Sequence, residues 1–112
     1  MDNYARQAML CDFYGELLSD HQREILEASV MDNDSLSEIA GSFGITRQAA
    51  SDMIRRCLKT LEEYESKLRL IARFKTLEEG LLKIGELSED LEGSKAREIG
   101  SIASKLLKEL EA

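Results

Sequence analysis

The sequence predicts an all-α protein: a helix-turn-helix head, a long fourth helix, and a C-terminal helical region for packing or dimerisation. Three observations carry that prediction. The 112 residues contain no proline, where average usage would give about five or six, so the strongest helix breaker is absent. Apolar residues recur at spacings of three and four along nearly the whole chain, the rhythm of helices with one buried face. Three Ser/Thr-x-x-Glu/Gln boxes, beginning at Ser19, Ser35 and Thr76, stand where apolar runs begin, which is how helix starts are written.

The first helix is expected from about Tyr4 to Leu18, with Tyr4, Ala8, Cys11, Tyr14 and Leu18 on one stripe and Met9, Phe13 and Leu17 widening it. Ser19-Asp-His-Gln22 has the form of a capping box, so a second helix starts there and ends near Met31, before the turn cluster Asp32-Asn-Asp34. Ser35-Leu-Ser-Glu38 opens a third helix, with Leu36, Ile39, Ala40 and Phe43 facing inward and Gly44 as a left-handed C-cap. Thr46 caps a fourth helix.

That fourth helix carries Ile54, Cys57, Leu61, Tyr64, Leu68 and Ile71 in alternating steps of three and four, the seam of a coiled coil. Glu62, Glu63, Glu65, Lys59, Lys67 and Arg69 are read as its solvated face. The helix either runs past Arg73 or re-initiates at the Thr76-Leu-Glu-Glu79 box. A further stripe, Leu77, Leu81, Ile84, Leu87 and Leu91, precedes a break at Gly93-Ser94, and a last helix is expected from Lys95 to Leu110. Domain boundaries follow: a helix-turn-helix domain over 1–60 and a helical extension over 61–112. Leu61, Tyr64, Leu68 and Ile71 need burial, and each buried aliphatic side chain contributes roughly 1.5–3 kcal/mol. A homodimer through that seam is expected, with coverage in cis by the C-terminal helices as the monomeric alternative.

Composition restricts function. The two cysteines, Cys11 and Cys57, lie in apolar helical registers and read as buried free thiols of a reducing compartment. No basic-then-apolar leader opens the chain and no stretch has the apolar length to cross a bilayer, so a cytoplasmic protein without membrane insertion is expected. The one histidine, His21, sits on a capping turn, so no Ser/His/Asp or Cys/His set can form around it. Asp32-Asn33-Asp34 lacks the glycine and distal glutamate of a calcium loop, and the glycines are too scattered for a phosphate loop. The expectation is of no enzyme, no metal and no cofactor.

Charge gives the positive direction. The chain carries −7 overall, but residues 45–75 hold eight basic and four acidic side chains. The basic excess therefore falls on the second helix of the motif Ser35–Ile54 and its extension, where phosphate contacts are needed. Two helices crossing at a steep angle need a small residue at their approach, which Ala40 supplies. They also need a residue free to take positive φ, which Gly44 supplies four positions later. Ile39, Phe43, Ile45, Ala50 and Ile54 then lock the pair. The outward face of the second helix follows: Thr46, Arg47, Gln48, Ser51, Asp52 and Arg55, continued by Arg56 and Lys59. Arginine reads guanine edges or grips phosphate, glutamine bridges adenine, and hydroxyls bond either. Asp52 accepts from cytosine but repels phosphate. Nucleic acid is the expected ligand, DNA ahead of RNA.

Leu18 to Leu61 resembles the upstream-promoter-reading domain of bacterial sigma factors, in Gln22-Arg-Glu-Ile-Leu26, Ser35-Leu-Ser-Glu-Ile-Ala40 and Phe43-Gly-Ile-Thr-Arg47. A closer resemblance is to the YlxM family, small helix-turn-helix proteins encoded beside the signal recognition particle genes of Gram-positive bacteria and mycoplasmas. It is carried by Asp12-Phe-Tyr-Gly-Glu-Leu-Leu18, Gln22-Arg23, Ser35–Ala40, Phe43–Ala49 and Leu61-Glu-Glu-Tyr-Glu65. The resemblance implies a regulatory or accessory role in the signal recognition particle pathway, with that particle's GTPase or its RNA as partners. An accessory factor that docks the GTPase or the RNA–protein complex without reading DNA is the alternative. Two positions depart from the family pattern: Ala50 stands where valine is usual, and Ser51 where tyrosine is. Residues 76–112 match no family pattern and carry nothing over.

Overall fold

The computed structural model describes residues 2–111. Among them are six α-helices and one 3-10 turn, with no strand: α1 (Asp2–Tyr14), the turn Gly15–Leu17, α2 (Asp20–Val30), α3 (Leu36–Phe43), α4 (Arg47–Leu68), α5 (Leu70–Glu89) and α6 (Ser94–Glu111). The all-α fold and its helix-turn-helix head are as the periodicity requires.

The capping chemistry of the head is local. Ser19 Oγ accepts from the Gln22 amide while the Gln22 side chain returns to the Ser19 amide, and Ser35 and Glu38 repeat the arrangement. Each pair satisfies two N–H groups that a helix start leaves open. The bond from Ser35 holds the Glu38 carboxyl below its usual range. Gly44 ends α3 at φ 66°, a conformation that needs glycine, and its amide bonds back to the Ala40 carbonyl. The Ile45 amide bonds to the same carbonyl, so the turn is closed twice on Ala40.

Two apolar clusters fill the head. Ile25, Ala28, Ile39 and Ala50 lock α2, α3 and the start of α4. Leu10, Cys11, Tyr14, Leu18, Leu26, Val30, Cys57, Leu61 and Ile71 join α1 and α2 to the rest of α4 and the start of α5. Both cysteines are free and buried, and burial pushes the Cys11 thiol up to about 11. Tyr4 and Leu17, expected on the inner stripe of the first helix, are exposed; the 3-10 turn swings Leu17 off the α1 register.

Four expectations are corrected. The fourth helix does not pass Arg73. It stops at Leu68, Arg69 takes a left-handed conformation (φ 57°), and α5 starts at Leu70. The cause is a buried knot: Tyr14 Oη donates to Glu65 Oε1 at 2.5 Å, the Ile71 amide donates to the same oxygen at 2.9 Å, and the Leu70 amide donates to Tyr14 Oη at 3.1 Å. The first amides of α5 are thus capped by side chains from α1 and α4. Glu65, read as part of the solvated face, is therefore buried. The Thr76 box starts nothing: Thr76 lies inside α5 and its hydroxyl donates to the Ala72 carbonyl. Finally, the seam is largely used in cis. Leu61 and Ile71 are buried in the head core, Tyr64 stacks obliquely on Tyr14 at 6.1 Å, and only Leu68, 45% exposed, stays out. The partner that periodicity asked for is α1, which is clamped to α4 by the two-pronged Arg6–Glu62 ion pair.

The chain divides into two compact units, residues 1–71 and 72–112, so the division falls at 71/72 rather than at 60/61. In the second unit α5 and α6 meet through small side chains. Ser88, Ala96 and Ala103 are buried, and a Cβ on Gly100 of α6 would lie 2.8 Å from Ser88 Oγ of α5.

Removing the Tyr14 hydroxyl leaves Glu65 and the Leu70 amide each short of a buried partner. Tyr14→Phe is expected to destabilise the protein by about 1–3 kcal/mol in urea unfolding. A loss below about 0.5 kcal/mol would show that water replaces the hydroxyl. The raised Cys11 pKa gives a second expectation. Its neutral thiol favours the folded state fully below the unfolded value of 9.0, and that contribution fades as pH rises to about 11. Stability should fall across this alkaline window, and less so in Cys11→Ala, as thermal melts from neutral to alkaline pH would register.

Candidate nucleic-acid interface

The face predicted from Gly44 is built as a unit. Thr46 sits in extended backbone and its Oγ1 accepts from the Ala49 amide at 3.0 Å. Its hydroxyl thus fixes the start of α4 and keeps its proton and a second lone pair for a ligand. The Ala49 and Ala50 amides are taken by Thr46, which leaves those of Arg47 and Gln48 at the open end of the helix, where anions are favoured.

Burial divides α4 cleanly. Ala50, Cys57, Leu61 and Glu65 face the core. Thr46, Arg47, Gln48, Arg55, Arg56 and Lys59 are exposed, and Ser51 and Asp52 are half-buried. All eight predicted residues therefore lie on the outer side of α4 and its N-cap, over nearly four turns. Ala50 is fully buried in the cluster it shares with Ile25, Ala28 and Ile39.

The basic face is not a bare row of cations. Asp52 Oδ1 accepts from Gln48 Nε2 at 3.0 Å and also pairs with Arg55. This trio pre-orients Arg55 and Gln48 and subtracts one charge from the centre of the face. Asp52, Arg55, Arg56 and Lys59 together line a shallow open depression. Arg55 is 68% exposed in its side chain, so exchanging Asp52 for a phosphate or a base edge costs little desolvation. Such an exposed pair contributes about 0–1 kcal/mol.

One feature escaped the sequence reading. A cleft of about 340 Å³ opens beside α4, walled by Leu17, Gln22, Met53, Arg56, Thr60 and Tyr64 among others. Its residues come from the 3-10 turn, α2 and α4, so no single stretch of sequence signals it. His21, expected at the surface, is exposed with its ring edge-on to Phe43 at 5.9 Å. Among the described residues no group of three histidine, cysteine or carboxylate side chains is placed to hold a metal ion, and no helix is long and apolar enough to cross a membrane.

Sequence similarity to known proteins extends over most of the chain. The sequence profile of a family described as "Putative helix-turn-helix protein, YlxM / p13 like" (UPF0122) matches residues 1–99. The chain belongs to this YlxM/p13-like family. A UPF0122 protein of Symbiobacterium thermophilum is 39% identical over 92 residues, covering 82% of this chain and 83% of that protein. One from Shouchella clausii is 45% identical over 76 residues, covering 68% and 70%. One from Staphylococcus epidermidis is 49% identical over 69 residues, covering 62% and 63%. The YlxM/p13-like profile reaches past the head into the first turns of α6, so the C-terminal hairpin that the sequence reading left unassigned is for the most part within the family.

Because Asp52 offsets Arg55, Asp52→Asn is expected to strengthen binding of any nucleic acid at this face several-fold. It should also steepen the dependence of log K on log salt by up to about one. Anisotropy titrations at a series of salt concentrations measure both; an unchanged slope would place Asp52 outside the contact.

Proposed function

We propose that this YlxM/p13-like protein is a cytoplasmic nucleic-acid-binding regulator, with DNA as its favoured ligand and no catalytic activity of its own. The reading rests on one observation above others. Arg47, Arg55, Arg56 and Lys59 stand exposed along one helix that a left-handed glycine turn sets at an angle to α3. A helix so placed fits the major groove, where arginine takes guanine edges and lysine the phosphates. The description of the family as helix-turn-helix supports it. The resemblance to proteins encoded beside signal recognition particle genes supports a role in that pathway. A homodimer belongs to this reading, because a two-fold axis would present two such helices to two half-sites.

A second reading has an observation of its own. The net charge of −7 and the Asp52 pairing weaken attraction to phosphate, which favours docking to a protein surface such as the particle's GTPase or its RNA–protein complex. The two readings part on nuclease treatment, since a protein-docked complex survives it.

Arg47→Ala and Arg55→Ala are each expected to cost about 1–3 kcal/mol of binding if the residue reads a guanine, with helicity and melting unchanged. The measurement is anisotropy against DNA recovered with the protein from cells, at stated salt. Unchanged affinity in both variants would remove this face from the reading.

A further inference from the structure

Asp52 is the acid among the eight residues of the α4 face. A surface that only gripped phosphate would bind better without it, since it repels the ligand and offsets a cation. Its bonds give it another use. Asp52 Oδ1 accepts from Gln48 Nε2 at 3.0 Å and from Arg55, so both polar readers of the face are tied to one carboxylate oxygen.

A carboxylate only accepts hydrogen bonds, whereas an amide carries an acceptor and a two-proton donor of nearly the same shape. An exposed glutamine with no neighbour can lead with either. Beside Asp52 that freedom ends: Nε2 turns to the carboxylate and Oε1 is driven away from it. One N–H of Nε2 is taken, which leaves Oε1 and the other N–H for a ligand. Gln48 and Asp52 stand four residues apart, neighbours on a helix surface, so the bond asks no strain of the backbone. Arg55 is the more dispensable partner, because its side chain is 68% exposed and keeps its remaining N–H groups. When Arg55 turns to a phosphate or a guanine, Asp52 still holds Gln48.

We propose that Asp52 is a positioning residue that makes Gln48 select adenine over guanine in the major groove. The inference rests on the nucleic-acid reading above and names the base that this face selects. In that groove adenine shows N7 as an acceptor and N6 as a donor, while guanine shows two acceptors, N7 and O6. The N–H and Oε1 left to Gln48 match adenine at both points. Against guanine, Oε1 meets O6, acceptor on acceptor, and the second donor that could replace it is held by Asp52. Cytosine offers only a donor and thymine only an acceptor, so each leaves one Gln48 group unpaired, a costly state once water is excluded. The carboxylate thereby lowers affinity for every sequence and raises preference for one base.

Selection from a random-sequence pool of DNA duplexes by the full chain, read by sequencing, tests it. The wild type is expected to enrich adenine over guanine about ten-fold at one position, and Gln48→Ala should flatten that position alone. Asp52→Asn, whose amide can turn either a donor or an acceptor to Gln48, should admit guanine there and cut the preference about five-fold, while total binding rises. Charge removal by itself strengthens all sequences alike and its gain fades with salt. A ratio of adenine to guanine that falls, and stays low at high salt, therefore reports positioning. In the Gln48→Ala background Asp52→Asn should leave the ratio unchanged, since both act through one amide. An adenine preference intact in Asp52→Asn, or no base enriched by the wild type, would overturn the inference; the nucleic-acid reading stands if Arg47→Ala or Arg55→Ala still weakens retention of the pool. If neither does, that reading falls and the inference with it.

Discussion

The Glu65 carboxylate, buried and shared between the Tyr14 hydroxyl and the Ile71 amide, is the contact on which the head's architecture depends. A carboxylate is costly to bury unless it is hydrogen-bonded. Here it takes bonds from two elements at once, so α1, α4 and the start of α5 must arrive together. The Tyr14 hydroxyl completes the arrangement by accepting the Leu70 amide while donating to Glu65, and burial with that donated bond pushes its own pKa up. The left-handed Arg69, which costs about 1–2 kcal/mol in a non-glycine residue, is tolerated because the two amides after it have fixed acceptors.

That knot separates what was legible in the sequence from what was not. The helix starts at Ser19, Ser35 and Thr46 and the glycine stop at Gly44 were legible because each is decided within four residues, by a side chain meeting a nearby amide. The break at Arg69 was illegible because its cause lies more than fifty positions away in Tyr14. Glu65 was read as one more solvated acid in a charged run, although it follows Leu61 by four and Cys57 by eight and so shares their buried stripe, unlike Glu62 and Glu63; its acidic type outweighed its spacing. Thr76 shows the opposite failure: a complete capping box that the fold does not use, because its helix had already begun. The seam was read correctly as apolar but given the wrong partner, since periodicity reports that a stripe is covered and not what covers it.

The candidate site was more legible than the fold around it. Once Gly44 fixes where α3 ends and Thr46 where α4 begins, the outward face is set by 3.6 residues per turn, and the eight residues fall there. What spacing could not give was their mutual engagement. Gln48, Asp52 and Arg55 lie at steps of four and three, which brings all three together on Asp52 Oδ1. The cleft between the 3-10 turn and α4 was invisible for the same reason as the knot, because it is assembled from three elements.

Charge limits what the α4 face can do alone. A single α4 face offers four cations with one acid among them, on a chain of net charge −7. Counterion release from so few contacts would give only weak, salt-sensitive affinity for a nucleic acid, and the acidic remainder of the chain would oppose it. On the proposed reading, discrimination would therefore come from the direct contacts of Arg47, Gln48 and Arg55 rather than from bulk attraction.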